Sequence, residues 1–133
     1  MPTLIFVNLP VSDLERSKSF YTALGFEINP QFTDENAACI VISDTIFVML
    51  LVKPFFSNFT SKQLADTSTT AAAINALSAD SREEVDALAD KAIAAGGAQS
   101  NDPQDMDFMY SRSFEDPDGN LWEIVWMDPA SIE

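Results

Sequence analysis

The two halves of this chain are punctuated in the same way, and this limits its fold more than any other feature. Ser12 and Glu15 have the spacing of a helix-capping box, and so do Ser81 and Glu84. Gly25 is placed to end the first predicted helix, and Gly96-Gly97 the second. The start signals lie 69 residues apart and the stop signals 71. Such a nearly constant offset predicts an internal duplication.

Each half reads as strand, helix, then three extended stretches. Residues 3–9 are apolar and β-prone, a buried strand ended by Pro10 and Ser12. Leu14, Ser17, Tyr21 and Leu24 fall on one helical face. Extended segments are expected at about 26–32, 36–42 and 45–52, with Ser43-Asp44 as a tight turn. In the second half a strand is expected over 71–79, then a helix with Val85, Leu88, Ala89, Ala92 and Ile93 as its apolar stripe. Strands near 98–101, 107–114 and 120–127 complete it. The expected fold class is therefore α+β: two βαβββ modules, residues 1–53 and 70–133, joined by a linker over 54–69 in one compact domain. Phe55, Phe56 and Phe59 are unusual for a linker, because aromatic rings gain by burial. They either cover the core or a subunit interface, or form a lid over a pocket.

Composition excludes several functions. The 133 residues can bury about two-thirds of the unfolded surface without a disulfide or structural metal. Cys39 is the sole cysteine; it reads as a buried core thiol, and a cytoplasmic location is expected. Met1-Pro2-Thr3-Leu4 lacks the basic start of a signal peptide, and the longest apolar run, Ile46 to Val52, is too short to span a bilayer. We expect no membrane partner. With 21 acidic against 7 basic residues the net charge is −14, so nucleic acid is not an expected partner. That field favours a cationic small ligand, or simply keeps the surface soluble. There is no histidine, which removes Ser-His-Asp and Cys-His catalysis, and four glycines provide no phosphate-cradling loop.

Asp116-Pro117-Asp118-Gly119-Asn120 reads as a tight turn: Pro117 fixes φ, and Gly119 can supply a positive φ. In the strand that follows, Glu123 alternates onto a face otherwise made of Leu121, Val125 and Met127. A carboxylate there must face a cavity, meet a donor or take up a proton. Its cross-strand neighbour depends on loop length. Four loop residues place it opposite Arg112, in an ion pair; five place it opposite Ser113, free for a ligand or proton.

Two segments carry a family resemblance. Val11-Ser12-Asp13-Leu14-Glu15-Arg16-Ser17-Lys18-Ser19-Phe20-Tyr21 with Leu24-Gly25-Phe26, and Phe114-Glu115-Asp116-Pro117-Asp118-Gly119-Asn120-Leu121-Trp122-Glu123, resemble the two signatures of the glyoxalase/bleomycin-resistance/dioxygenase (vicinal oxygen chelate) superfamily. The resemblance implies paired βαβββ modules with a curved mixed sheet around a cavity, generally as a homodimer. Metal-dependent members draw one ligand, mostly His or Glu, from each of four strands. Carried onto this chain, those positions are Phe6, Leu50, Ile74 and Glu123, three of them apolar, so no metal and no cofactor are expected. The candidate ligand-binding residues are Phe6, Asn8, Leu50, Ile74, Ser113 and Glu123, with Glu123 also the candidate catalytic base. Tyr110, Phe108, Trp122 and Trp126 are candidate groove aromatics. By this resemblance the leading expectation is a metal-independent small-molecule binder like the bleomycin-resistance branch, which holds a cationic drug in grooves at its subunit interface. The alternatives are a metal-free enzyme in which Glu123 abstracts a proton, a lyase, isomerase or dioxygenase with Glu123 as metal ligand, and a structural dimer.

Overall fold

In the computed structural model, residues 2–131 are described. The chain divides into two units, Met1–Asp66 and Thr67–Glu133. The first runs β1 (Ile5–Val11), α1 (Leu14–Ala23), β2 (Glu27–Asn29), β3 (Ala37–Val41), β4 (Ile46–Val52) and a short helix α2 (Lys53–Phe56). The second runs β5 (Ile74–Ser78), α3 (Arg82–Ala94), β6 (Ala98–Gln99), β7 (Gln104–Met106), β8 (Met109–Glu115) and β9 (Leu121–Met127).

The two sheets have one topology. In the first the order is β1-β4-β3-β2, with β1 parallel to β4 and the other pairs antiparallel. In the second it is β5-β9-β8-β6, again with one parallel pair, β5 and β9, and with β7 continuing the β6 edge. The fold is α+β, a duplicated βαβββ module. Each helix covers one face of its sheet: α1 buries Leu14, Ser17, Phe20 and Tyr21, and α3 buries Val85, Ala89 and Ala92. Against them lie Val48, Leu50 and Ile40 in the first unit and Phe114, Trp122 and Ile124 in the second, all at most 2% exposed. Each such side chain contributes about 1.5–3 kcal/mol of burial free energy.

Local chemistry corrects some sequence expectations. The first helix is capped by Asp13, whose carboxylate accepts from the Arg16 N–H at 3.1 Å; Ser12 instead accepts from the Arg16 guanidinium. Glu15 pairs with Lys18 at 2.7 Å, so the first capping box does not form. The second forms in a shifted version: Ser81, the cap, accepts from the Glu84 N–H at 3.1 Å, while the Glu84 carboxylate accepts at 2.9 Å from the N–H of Asp80, one residue before the cap. Pro10 does not end β1 but pairs with Leu51, which an edge strand tolerates. The stretch expected over 26–32 is a strand only to Asn29, whose side chain caps a 3-10 turn begun by Pro30. Helical turns run through Lys53–Phe56 and Ser57–Phe59, which fall in the first unit.

The 116–120 loop is built on one carboxylate. Asp116 Oδ1 accepts from the N–H groups of Asp118 at 3.0 Å and Asn120 at 2.9 Å, and Oδ2 accepts from the Asn120 amide at 3.0 Å. Thr67 Oγ1 donates to the Asp118 carbonyl at 2.6 Å. Gly119 has φ +87°, and a Cβ there would collide with the Thr67 carbonyl oxygen. Gly25 also has positive φ but open space around it. Gly119→Ala should therefore cost well above the roughly 1 kcal/mol expected for Gly25→Ala, as read from urea unfolding midpoints.

On the helix side of the second sheet, α3 is tied to β8 by charge. Arg112, with 15% side-chain exposure, donates to Asp86 at 3.1 Å and Asp90 at 2.8 Å, and the Tyr110 hydroxyl donates to Asp86 at 2.6 Å. Arg82 lies over the Tyr110 and Trp126 rings at 5.3 and 5.1 Å and donates to Asp105. The Tyr110 hydroxyl, helped by Arg112, holds the Asp86 carboxyl below its ordinary range, and Asp86 in turn pushes the Tyr110 phenol up. The depressed Asp86 stabilises above its unfolded pKa, and this is lost as pH falls through the folded value. The raised Tyr110 stabilises below its unfolded pKa, and this is lost as pH rises through the folded value. Tyr110→Phe should cost about 1 kcal/mol at neutral pH. Urea titrations should show the deficit shrinking below roughly pH 4 and above roughly pH 10.

Candidate functional site

Alternation along β4 sorts its residues onto two faces. Val48 and Leu50 turn to α1, whereas Met49 and Leu51 turn away beside their partners Asn8 and Pro10 of β1 and Cys39 and Ala37 of β3. On that second face lies a cavity of about 760 Å³, all of it within the first unit. Asn8, Ala37, Met49 and Leu51 line its sheet side, and Phe32, Phe55, Phe56 and Phe59 supply its aromatic walls. Phe55 and Phe59 meet edge to face at 5.2 Å. The polar contribution is small: Asn8, whose amide donates to the Phe6 carbonyl at 3.2 Å, and a rim of Gln31, Thr33, Asp34 and Thr60. Asp34 is fixed by accepting from the N–H groups of Asn36 at 2.8 Å and Ala37 at 3.1 Å. Cys39 is 1% exposed, and burial pushes its thiol up, away from the reactive thiolate.

The six candidate residues divide between the units. Phe6 is 50% exposed and stacks on Phe47 at 5.1 Å, two residues from Asn8 on the same face. Leu50 is fully buried toward α1; its neighbours Met49 and Leu51 reach the cavity instead. In the second unit Ile74 is 59% exposed and pairs with Leu121, while Ala76 stands directly beside Glu123. The hairpin loop has five residues, so Glu123 faces Ser113 across the strands and Arg112 faces Ile124 on the helix side. Tyr110, Trp122 and Trp126 share that helix-side face, away from Glu123. Glu123, Ser113 and Ser111 line a polar recess of about 160 Å³ together with Asn101, Asp102, Gln104 and Met109. The edge strand shapes it. From Gln99 to Gln104 the chain takes five steps, while the paired stretch from Phe114 to Ser111 takes three, so two residues bulge out. The Asn101 N–H donates to Ser113 Oγ at 2.8 Å and secures the bulge.

The four positions carried from metal-dependent relatives hold a phenylalanine, a leucine, an isoleucine and Glu123. Shifting by one residue adds only Met49 and weak donors. Among the described residues, no three His, Cys, Asp or Glu side chains come together. One carboxylate does not satisfy Zn²⁺, Ni²⁺ or Fe²⁺, so this donor set does not fit the metal that the family resemblance implies. Phe32, Met49, Leu51 and Asp34 were not foreseen. The sequence signals for this cavity were Asn8 and the concentration of phenylalanine at 55, 56 and 59.

The family model described as bleomycin resistance protein-like N-terminal matches residues 3–43. A hypothetical protein, SA1046, from S. aureus is 34% identical, with 95% of each chain covered and a TM-score of 0.79. A glyoxalase/bleomycin resistance protein/dioxygenase family enzyme from Burkholderia phytofirmans PsJN is 20% identical, covering 95% of this chain and 99% of its own, with a TM-score of 0.77. TnmS3, an antibiotic binding protein from Streptomyces sp. CB03234, is 20% identical over 96% of this chain and 98% of its own, with a TM-score of 0.67. No curated protein matches the chain significantly. With the duplicated topology and both signatures in place, the chain belongs to the glyoxalase/bleomycin-resistance/dioxygenase superfamily.

Proposed function

We propose that the protein binds a small, largely aromatic or amphipathic molecule in the phenylalanine-walled cavity of its first unit, without a metal ion. What carries this is the cavity itself. At about 760 Å³ it suits a ligand of drug size, its walls are mainly Phe, Met and Leu, and few polar groups are present to orient the guest. The net charge of −14, with Asp34 at the rim, favours a cationic guest. The likeness to TnmS3, described as antibiotic binding, supports the same class of activity. The exposed Ile5 and Phe6 on edge strand β1 support a homodimer. The buried Cys39 thiol suits a reducing, cytoplasmic setting. Among the described residues no helix is long and apolar enough to cross a membrane.

A thermal-shift screen of cationic aromatic amphiphiles, followed by calorimetry, tests the reading. Phe55→Ala and Phe56→Ala should each weaken a hit by about tenfold or more, because buried aromatic anchors dominate such sites. A chelator should leave affinity unchanged. A screen without hits, or binding abolished by the chelator, would sink the proposal.

Glu123 in its polar recess favours a second reading: a metal-free lyase or isomerase of glyoxalase type with Glu123 as general base. Turnover that disappears in Glu123→Gln while substrate affinity survives would select it.

A further inference from the structure

The recess around Glu123 also has a chemistry of its own. It is lined by two carboxylates, Glu123 and Asp102, by the Ser111 and Ser113 hydroxyls and by Gln104, and by no Lys or Arg. Its roughly 160 Å³ is room for about five water molecules, so it holds a headgroup rather than a drug-sized body.

Two of these groups have no hydrogen-bond or ion-pair partner among the described residues. Ser111 is 2% exposed and lines the recess, yet its hydroxyl makes no hydrogen bond among the described residues. The partly buried Glu123 carboxylate makes neither a hydrogen bond nor an ion pair among them. Ser113, across the strands from Glu123, is already engaged by Asn101. Arg112 faces the other way and is held by Asp86 and Asp90. The carboxylate and the hydroxyl therefore keep hydrogen-bonding capacity open to the recess, where water or a guest takes it up.

That guest must be positively charged and rich in donors. A guanidinium is a planar fork suited to one carboxylate side-on, whereas a primary ammonium is compact and directs three N–H donors apart. Three acceptors of this recess, Glu123, Asp102 and the Ser111 hydroxyl, match that second pattern. A divalent cation wants about six or more oxygen ligands, and two carboxylates provide few. We propose that the recess formed by Glu123, Asp102 and Ser111 is a binding site for a primary ammonium group. It stands independently of the aromatic cavity.

Amide NMR titration with butylamine hydrochloride at neutral pH and about 150 mM NaCl tests this, since that salt screens the diffuse acidic field. Saturable shifts are expected at Asn101, Ser111, Ser113 and Glu123. Butyltrimethylammonium has the same charge but no N–H donor, and it should not saturate these signals. Glu123→Gln, nearly isosteric, should weaken butylamine by about tenfold or more, and Ser111→Ala by a few-fold. Unchanged amide positions outside the recess would establish that both variants fold. An arm with Nα-acetyl-lysine amide separates a free amine from a peptide-borne one. Equal response to butyltrimethylammonium, shifts that survive Glu123→Gln, or a stronger localised response to Ca²⁺ would overturn the proposal. Signals from residues 55–59 report the aromatic cavity separately, so failure of one reading is distinguishable from failure of the other.

Discussion

The Asp116 carboxylate is the small part on which the second unit depends. By accepting three hydrogen bonds from its own loop it fixes five residues between β8 and β9. Loop length fixes register, and register decides which face each side chain occupies. Ser113 therefore stands across from Glu123, and Arg112 is sent to α3, where Asp86 and Asp90 hold it. The charge balance of the recess and the clamp on the helix are two results of one turn.

The architecture was legible because duplication repeats its signals. Helix stops at Gly25 and Gly96 and the stripe of Val85, Ala89 and Ala92 reported two modules without any long-range information. Errors stayed local and had identifiable competitors. Asp13 displaced Ser12 as cap because its carboxylate reaches the Arg16 N–H. Pro10 stayed in its strand because an edge position spares it one set of ladder bonds. Pro30 cut the expected second strand short at Asn29 and began a 3-10 turn.

The site was less legible, for a geometric reason. A strand position is useful only on the correct face, and a slip of one residue reverses the face. Leu50 was carried from the family pattern into the site but lies in the core, with Met49 and Leu51 on the cavity side. Glu123 could be singled out because a lone charge among Leu121, Val125 and Met127 needs an explanation. Its surroundings could not, since Asn101, Asp102 and Gln104 are brought in by a bulge with no sequence periodicity. Phe32 likewise joins the cavity through a turn that only the Asn29 cap and Pro30 specify.

The interruption between β6 and β7 has a further consequence. These strands form the outer edge of the second sheet, where unpaired N–H and C=O groups invite another strand to add. Two extra residues break that edge into pieces of two and three residues, and the Asn101 N–H at the break turns inward to Ser113. The irregularity that brings Asp102 toward Glu123 thus also denies a neighbouring chain a continuous template. A smoother edge would close the recess and give the sheet a way to polymerise.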